Sequence, residues 1–240
     1  MSAATQVADG VYRLGTSWVG WYLLVDESVT VVDCGFPGYH GQLHDALAQL
    51  GRPLSSVTAV VLTHHHSDHI GSAERIRRET GATVYVPTAD ADGARTGKVK
   101  PPPGLMANIW RPMMLRYLTH AARNGGATIK PVSELQTYDD GDVLTEAGGL
   151  RAVHTPGHTA GHCSLLAERQ GVLFAGDAIA TFSPLKGSTG PQLLPFHEDA
   201  TAARASLARL EPLEAGVVAV GHGDPFEGSP AAAVQAARAA

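Results

Sequence analysis

The stretch "AVVLTHHHSDHIGSAERIRR", Ala59 to Arg78, places four histidines and one aspartate within the six residues from His64 to His69. The residues before it, "VTAVVLTH", are largely apolar without alternation and read as a buried strand. A helix from about Asp68 to Thr80 should follow, closed by Gly81. Histidine is the commonest metal ligand, and carboxylates complete such sites, so metal binding accounts best for this crowding. Side chains two apart in an extended segment point the same way, so His64 and His66 can converge on one ion. Asp68 and His69 open the helix and can reach a second ion beside it, while His65 should point away.

Two ions need further ligands, expected at the ends of other strands. His158 lies in the turn "TPGHTAGH", Asp177 ends "VLFAGD", and His222 ends "VVAVGH". Each sits in a glycine-flanked turn, where backbone can approach an ion closely. A single buried histidine is usually a hydrogen-bonded core residue, but five histidines and two aspartates at strand ends are not explained that way. His154 and His162 flank the third motif. His40, His44, His120 and His197 have no motif support and read as surface or helix residues, with His197 placed to cap a helix or line a pocket.

Around these motifs the chain alternates strands and helices. "GVYRLG", "SWVGWYLLVDE" and "SVTVVDCG" read as strands, Tyr39–Leu50 as a helix, and "ATVYVP" as a strand. The segment 88–130 breaks the rhythm. It carries "GKVKPPPG", whose three prolines exclude regular structure, and then the apolar, methionine-rich stretch "LMANIWRPMMLRYLTHAAR". We read 88–130 as an insertion that covers something. Strands resume at "LRAVHTP", "HCSLLAE", "GVLFAGD" and "GVVAVGHG", with helices at Thr201–Leu210 and Ser229–Ala240. The pattern implies a layered α/β or α+β class, with residues 1–240 forming one domain.

Composition narrows the function. With 44% hydrophobic residues, the 240-residue chain can bury a sizeable core without disulfides, and its two cysteines, Cys34 and Cys163, offer no disulfide framework. A net charge of −5 argues against a nucleic-acid partner. No apolar run approaches the roughly 20 residues of a membrane span. The N-terminus "MSAATQVADG" lacks the features of a signal peptide, so a cytoplasmic protein is expected.

The motifs His64-x-His66-x-Asp68-His69, His158, Asp177 and His222, in that order, resemble those of the metallo-β-lactamase superfamily. The likeness extends over "VVDCG", "VVLTHHHSDHIG", "HTPGHTAGH", "FAGD" and "VGHG", nearly the whole chain. The resemblance implies a four-layer αβ/βα sandwich with the metals between the sheet edges. It implies that His64, His66 and His158 hold one ion, that Asp68, His69 and His222 hold the other, and that Asp177 bridges them. Asp33, in the family's early Asp-x-Gly, would support a ligand rather than be one. The implied cofactor is two zinc ions, with manganese or iron as the other ions such ligands accept. The implied reaction is hydrolysis by a bridging hydroxide, with Asp68 and Asp177 orienting it and Asp68 helping proton transfer.

Departures from the family's branches narrow the substrate. His66 stands where flavo-diiron proteins have a glutamate. With 18 residues after His222, the glutathione-binding domain of glyoxalase II is expected to be missing. Ala180 occupies the place where many lactonases have a tyrosine, three residues after the bridging aspartate. The expected activity is hydrolysis of an ester, lactone or thioester of a small, partly hydrophobic molecule. The rivals are a β-lactamase-like amide hydrolase and a mononuclear iron persulfide dioxygenase. Met106, Trp110, Met113, Met114 and Tyr117 of the insertion are expected to form a lid over the substrate, with Trp18 and Trp21 on the other side of the cleft. The plainer reading is a helix pair packed on the body or on a second subunit, as in a homodimer. Arg95, Lys98 and Lys100 could meet a substrate anion, or belong to a solvated loop.

Overall fold

The structure is a computed structural model and describes residues 4–98 and 103–240. The first half contains β1 (Thr5–Ala8), β2 (Val11–Gly15), β3 (Gly20–Val25), β4 (Val29–Val32), α1 (His40–Gln49), β5 (Val57–Val61), α2 (Ser67–Ile70), α3 (Ala73–Thr80), β6 (Thr83–Pro87), α4 (Ala91–Thr96), α5 (Leu105–Asn108), α6 (Pro112–Arg123) and β7 (Gln136–Tyr138). The second half contains β8 (Val143–Leu144), β9 (Leu150–His154), β10 (Cys163–Ala167), β11 (Val172–Gly176), β12 (Ala180–Phe182), β13 (Thr189–Gln192), α7 (Ala200–Leu210), β14 (Val217–Val220), β15 (Phe226–Glu227) and α8 (Pro230–Ala239).

Two sheets carry the architecture. One runs β1-β2-β3-β4-β5-β6-β7 and the other β15-β14-β11-β10-β9-β8. Strands β4 to β7 pair in parallel, as do β11 and β14. Three apolar cores separate four layers. Leu23, Val31, Val60 and Val84 pack with Leu43, Leu47 and Ile76 of α1 and α3. Tyr22, Leu24, Val61, Leu165 and Phe174 fill the space between the sheets. Leu166, Leu173 and Val218 pack with Leu207 and Val234 of α7 and α8. Successive residues of one strand thus enter different cores, which is why these strands read as continuous apolar runs. Tyr22 ties the sheets together: its hydroxyl donates to the Val220 carbonyl at 2.8 Å and accepts from the Val220 N–H at 2.9 Å.

The expected single helix over Asp68–Thr80 is interrupted at Gly71–Ser72. Gly71 packs directly on the backbone of Gly35 and Pro37, where a Cβ would collide. The segment 88–130 is part of the connection between the parallel strands β6 and β7. Its front belongs to the body, because Asp90, Ala91 and Ala94 are buried. Pro112 does not kink a helix; it occupies the first turn of α6, where no N–H is needed. Lys100 lies outside the described residues. Among the described residues, no helix is long and apolar enough to cross a membrane.

Candidate metal centre and the cavity above it

The site forms at one edge of both sheets. His64 and His66 follow β5, Asp177 follows β11, His222 follows β14, and His158 lies in the turn after β9. These turns share an edge because β11 and β14 are parallel and β9 runs with them across antiparallel β10. Gly221 is required there, since a Cβ would collide with the Asp177 carboxylate and the His69 ring.

The seven residues gather in two groups. The ligand atoms of His64, His66 and His158 lie within 4.8 Å of one another, as do those of Asp68, His69 and His222. Asp177 stands between the groups. Its Oδ2 is 3.2 Å from His158 Nε2 and 3.2 Å from His222 Nε2, and its Oδ1 is 3.4 Å from His69 Nε2.

Neighbouring groups fix the histidine tautomers. Asp33 Oδ2 accepts from His69 Nδ1 at 2.8 Å, leaving His69 Nε2 to face the site. Asp33 also accepts from the Thr63 N–H and hydroxyl, so its position is overdetermined; it holds φ at 56°, the left-handed region. The Thr63 hydroxyl donates to Asp33, so at 3.0 Å it accepts from His64 Nδ1. His222 Nδ1 donates to the Trp18 carbonyl. The Asp177 N–H donates to His162 Nε2 at 2.9 Å, so His162 carries its proton on Nδ1 and donates it to Thr155 Oγ1. His162 therefore supports the Asp177 turn from behind.

His64 Nε2, His69 Nε2 and Asp177 Oδ1 are buried and have no hydrogen-bond partner among the described residues. Orphaned lone pairs converging in one place suit a divalent cation, and these residues could hold one or two. The electrostatics agree. Burial pushes His64 and His158 well below the usual histidine range and His66 down to about 4, so all three present neutral nitrogens. Burial also opposes charge on His69 and His222, but Asp177 together with Asp33 or Asp68 outweighs it and raises both. Burial opposes the Asp177 carboxylate, yet His222, His69 and His158 hold it well below the usual carboxylate range.

Two contributors were not legible beforehand. Asp90, in the turn after β6, accepts from the His65 N–H and ring, the Thr159 hydroxyl and the Gly161 N–H. It ties the His64–His69 turn to the His158 turn, and it also holds His65 away from the site. Tyr117 was expected only at the lid, but its hydroxyl donates to Asp68 Oδ2 at 2.6 Å.

A cavity of about 520 Å³ opens over His66, Asp68, His158, Asp177 and His222. Its other walls are mainly apolar: Phe36, Leu105, Met114, Leu118, Leu194 and Phe196 among them. No lysine or arginine among the described residues lines it. Of the seven residues expected to contact substrate, Met114 and Tyr117 line this cavity. Trp21 does not; β3 is buried on both faces and Trp21 lies fully within the core beneath α1. Met106 and Trp110 lie on the outer surface, 70% and 68% exposed. Met113 turns towards Gly187, away from the cavity that Met114 lines. Trp18 sits behind the lining, packed on Tyr117 and Phe182. Arg95 is exposed and pairs with Asp92 at 3.7 Å, and Lys98 is exposed.

The sequence profile of the metallo-beta-lactamase superfamily matches residues 16–222. The chain belongs to that superfamily. It is 28% identical to the probable metallo-hydrolase YflN of Bacillus subtilis, over 94% of this chain and 88% of that protein. It is 30% identical to the hydroxyacylglutathione hydrolase of Aeromonas salmonicida, over 66% of this chain but only 45% of that protein, so it spans less than half of that relative. A metallo-beta-lactamase family protein of Thermus thermophilus superposes with a TM-score of 0.69 at 27% identity, covering 96% of this chain and 78% of the other. The fold is accordingly the four-layer αβ/βα sandwich of metallo-β-lactamases, and the chain is one of a family of metallo-hydrolases.

Proposed function

We propose that this chain is a dinuclear metal-dependent hydrolase of uncharged, largely apolar esters, lactones or thioesters. His64, His66 and His158 would hold one ion and Asp68, His69 and His222 the other, with Asp177 shared. When bound, such ions supply an activated water near neutral pH and polarise the carbonyl under attack. Zinc suits this nitrogen-rich set; manganese and iron are the alternatives that metal analysis would separate.

The chain's own residues divide the remaining work. Asp33, Thr63 and the Trp18 carbonyl lock ring orientations. Asp68 and Asp177 would accept hydrogen bonds from the attacking water. Tyr117 is buried beside Asp68, and burial first, then the Asp68 charge, push its hydroxyl well above its usual range, so it remains a donor. Its one proton is committed to Asp68 Oδ2, so Tyr117 orients that carboxylate from α6 and acts as a positioning residue. The α5–α6 part of the inserted segment serves as a wall of the substrate cavity.

The observation that carries the substrate class is the cavity lining, apolar and without a cationic side chain among the described residues. Away from the ions, a substrate carboxylate, as in β-lactams or glutathione conjugates, would meet no cationic side chain of the described lining. The name of the Aeromonas relative, a hydroxyacylglutathione hydrolase, favours thioesters within the class. The test is proton release on a panel of aliphatic lactones, neutral acyl thioesters, aryl esters, a β-lactam and an acylglutathione, with His69→Ala as control. Turnover concentrated in the neutral compounds and lost in the variant is expected. Preference for the β-lactam or acylglutathione would overturn the substrate class. Absence of turnover by fully metallated protein would overturn the hydrolase reading.

A further inference from the structure

We propose that His40, His44 and Glu79 form a separate surface site for one divalent late-transition ion, such as Zn2+. His40 and His44 are four residues apart on α1 and so share one helix face. Glu79 reaches them from α3. Both imidazole Nε2 atoms converge on a single carboxylate oxygen, Glu79 Oε2, at 2.9 and 3.2 Å. The ligand atoms of all three lie within 4.8 Å of one another, as in the groups of the catalytic edge.

A second observation points to a ligand. His40 is only 3% exposed, and its Nε2 has no hydrogen-bond partner among the described residues; Glu79 Oε2 is near but outside hydrogen-bond geometry. A buried nitrogen left this way costs free energy, which coordination would recover. Arg75 donates to the other carboxylate oxygen, Glu79 Oε1, at 2.9 Å, which orients Glu79 for one-oxygen ligation. Two imidazoles and one carboxylate leave a fourth tetrahedral position for water. The ion would clip α1 to α3, the two helices that pack on the first sheet. Both follow segments that enter the catalytic edge, Asp33–Gly35 and Asp68–His69.

The site is independent of the catalytic assignment, and its test keeps the two apart. Protein first loaded with zinc and freed of excess is titrated with further Zn2+ by calorimetry, and thermal unfolding is followed in parallel. Wild type should take up one further equivalent with micromolar affinity and unfold a few degrees higher. His44→Ala, at a half-exposed position, and Glu79→Gln should each weaken that step at least tenfold while turnover is unchanged. If wild type takes up no further equivalent up to millimolar zinc, the proposal fails. It fails equally if both variants bind the further equivalent as wild type does.

Discussion

The Tyr117 hydroxyl donates to Asp68 Oδ2 at 2.6 Å, joining helix α6 of the inserted segment to the metal-ligand turn after β5. The two residues are 49 positions apart. The contact makes α6 a part of the site as well as a wall over it. Tyr117→Phe keeps the ring packing with Trp18 and Phe36 and removes only the donor. Asp68 loses its orienting donor, and we expect kcat to fall about 10- to 100-fold with metal content unchanged, the range typical when a ligating group loses its hydrogen-bonded partner. Steady-state kinetics with metal analysis of the same preparations checks this; unchanged kcat would leave Tyr117 a packing residue.

Asp33→Asn isolates the support given to His69. Asparagine tolerates the left-handed φ of 56°, so the backbone should survive. The carboxylate that accepts from His69 Nδ1 becomes a neutral amide. Metal affinity should fall about 10- to 100-fold, as is typical when a ligand loses its outer partner. Competition with a chromophoric chelator reads this directly.

The substrate cavity makes a graded prediction. Each methylene buried contributes about 0.8 kcal/mol, so kcat/KM for linear acyl substrates should rise about fourfold per added carbon until the cavity is filled. Phe196→Ala, in the apolar wall, should flatten that rise for chains long enough to reach it and leave shorter ones nearly unaffected. A series of p-nitrophenyl esters of increasing length tests the slope.

Acid sensitivity follows from the buried neutral histidines. Burial holds His66 and His162 down to about 4 in the folded chain, against about 6.5 unfolded. Between those values the unfolded chain binds more protons, so stability rises with pH and is lost as pH falls from about 6.5 towards 4. His69 and His222 work oppositely: their raised folded values add stability that is fully present below about 6.5 and fades as pH climbs through those folded values. The several lowered histidines outnumber these two, and chelated protein should lose thermal stability on acidification through this window. Scanning calorimetry of chelated protein across pH 4–7 measures the slope.

The seven candidate ligands were legible because their chemistry is written in short local motifs; long apolar runs marked strands buried on both faces and so a layered class, while the sandwich itself was implied by the resemblance those motifs carry. That same double burial hid Trp21: no alternation distinguishes a residue facing the cleft from one facing α1. The break after Ile70 was hidden because it depends on the closeness of Gly71 to Gly35 and Pro37, a tertiary contact. Met106 and Trp110 read as lid residues by hydrophobicity alone, which does not say which face of a short helix turns inward.

Asp90 was invisible for the same reason, and it makes the sharpest stability prediction. It is one of two aspartates in "PTADADG", with nothing local to mark it. In the fold it is 2% exposed and accepts from donors on two different turns. Burial opposes its charge, but the His65 hydrogen bond leads the interactions that outweigh this and lower its proton affinity. Asp90→Ala would leave the His65 and Gly161 N–H groups and the Thr159 hydroxyl without their acceptor. Each buried orphan costs about 1–3 kcal/mol, partly recovered by water entering the space, so a net loss of about 3 kcal/mol is expected. Because the turns carrying His64, His66 and His158 would no longer be tied, metal binding at that group should weaken as well. Urea unfolding of the chelated protein measures the first effect, and zinc affinity the second. Loss of stability with unchanged zinc affinity would show that the two turns hold their geometry without Asp90.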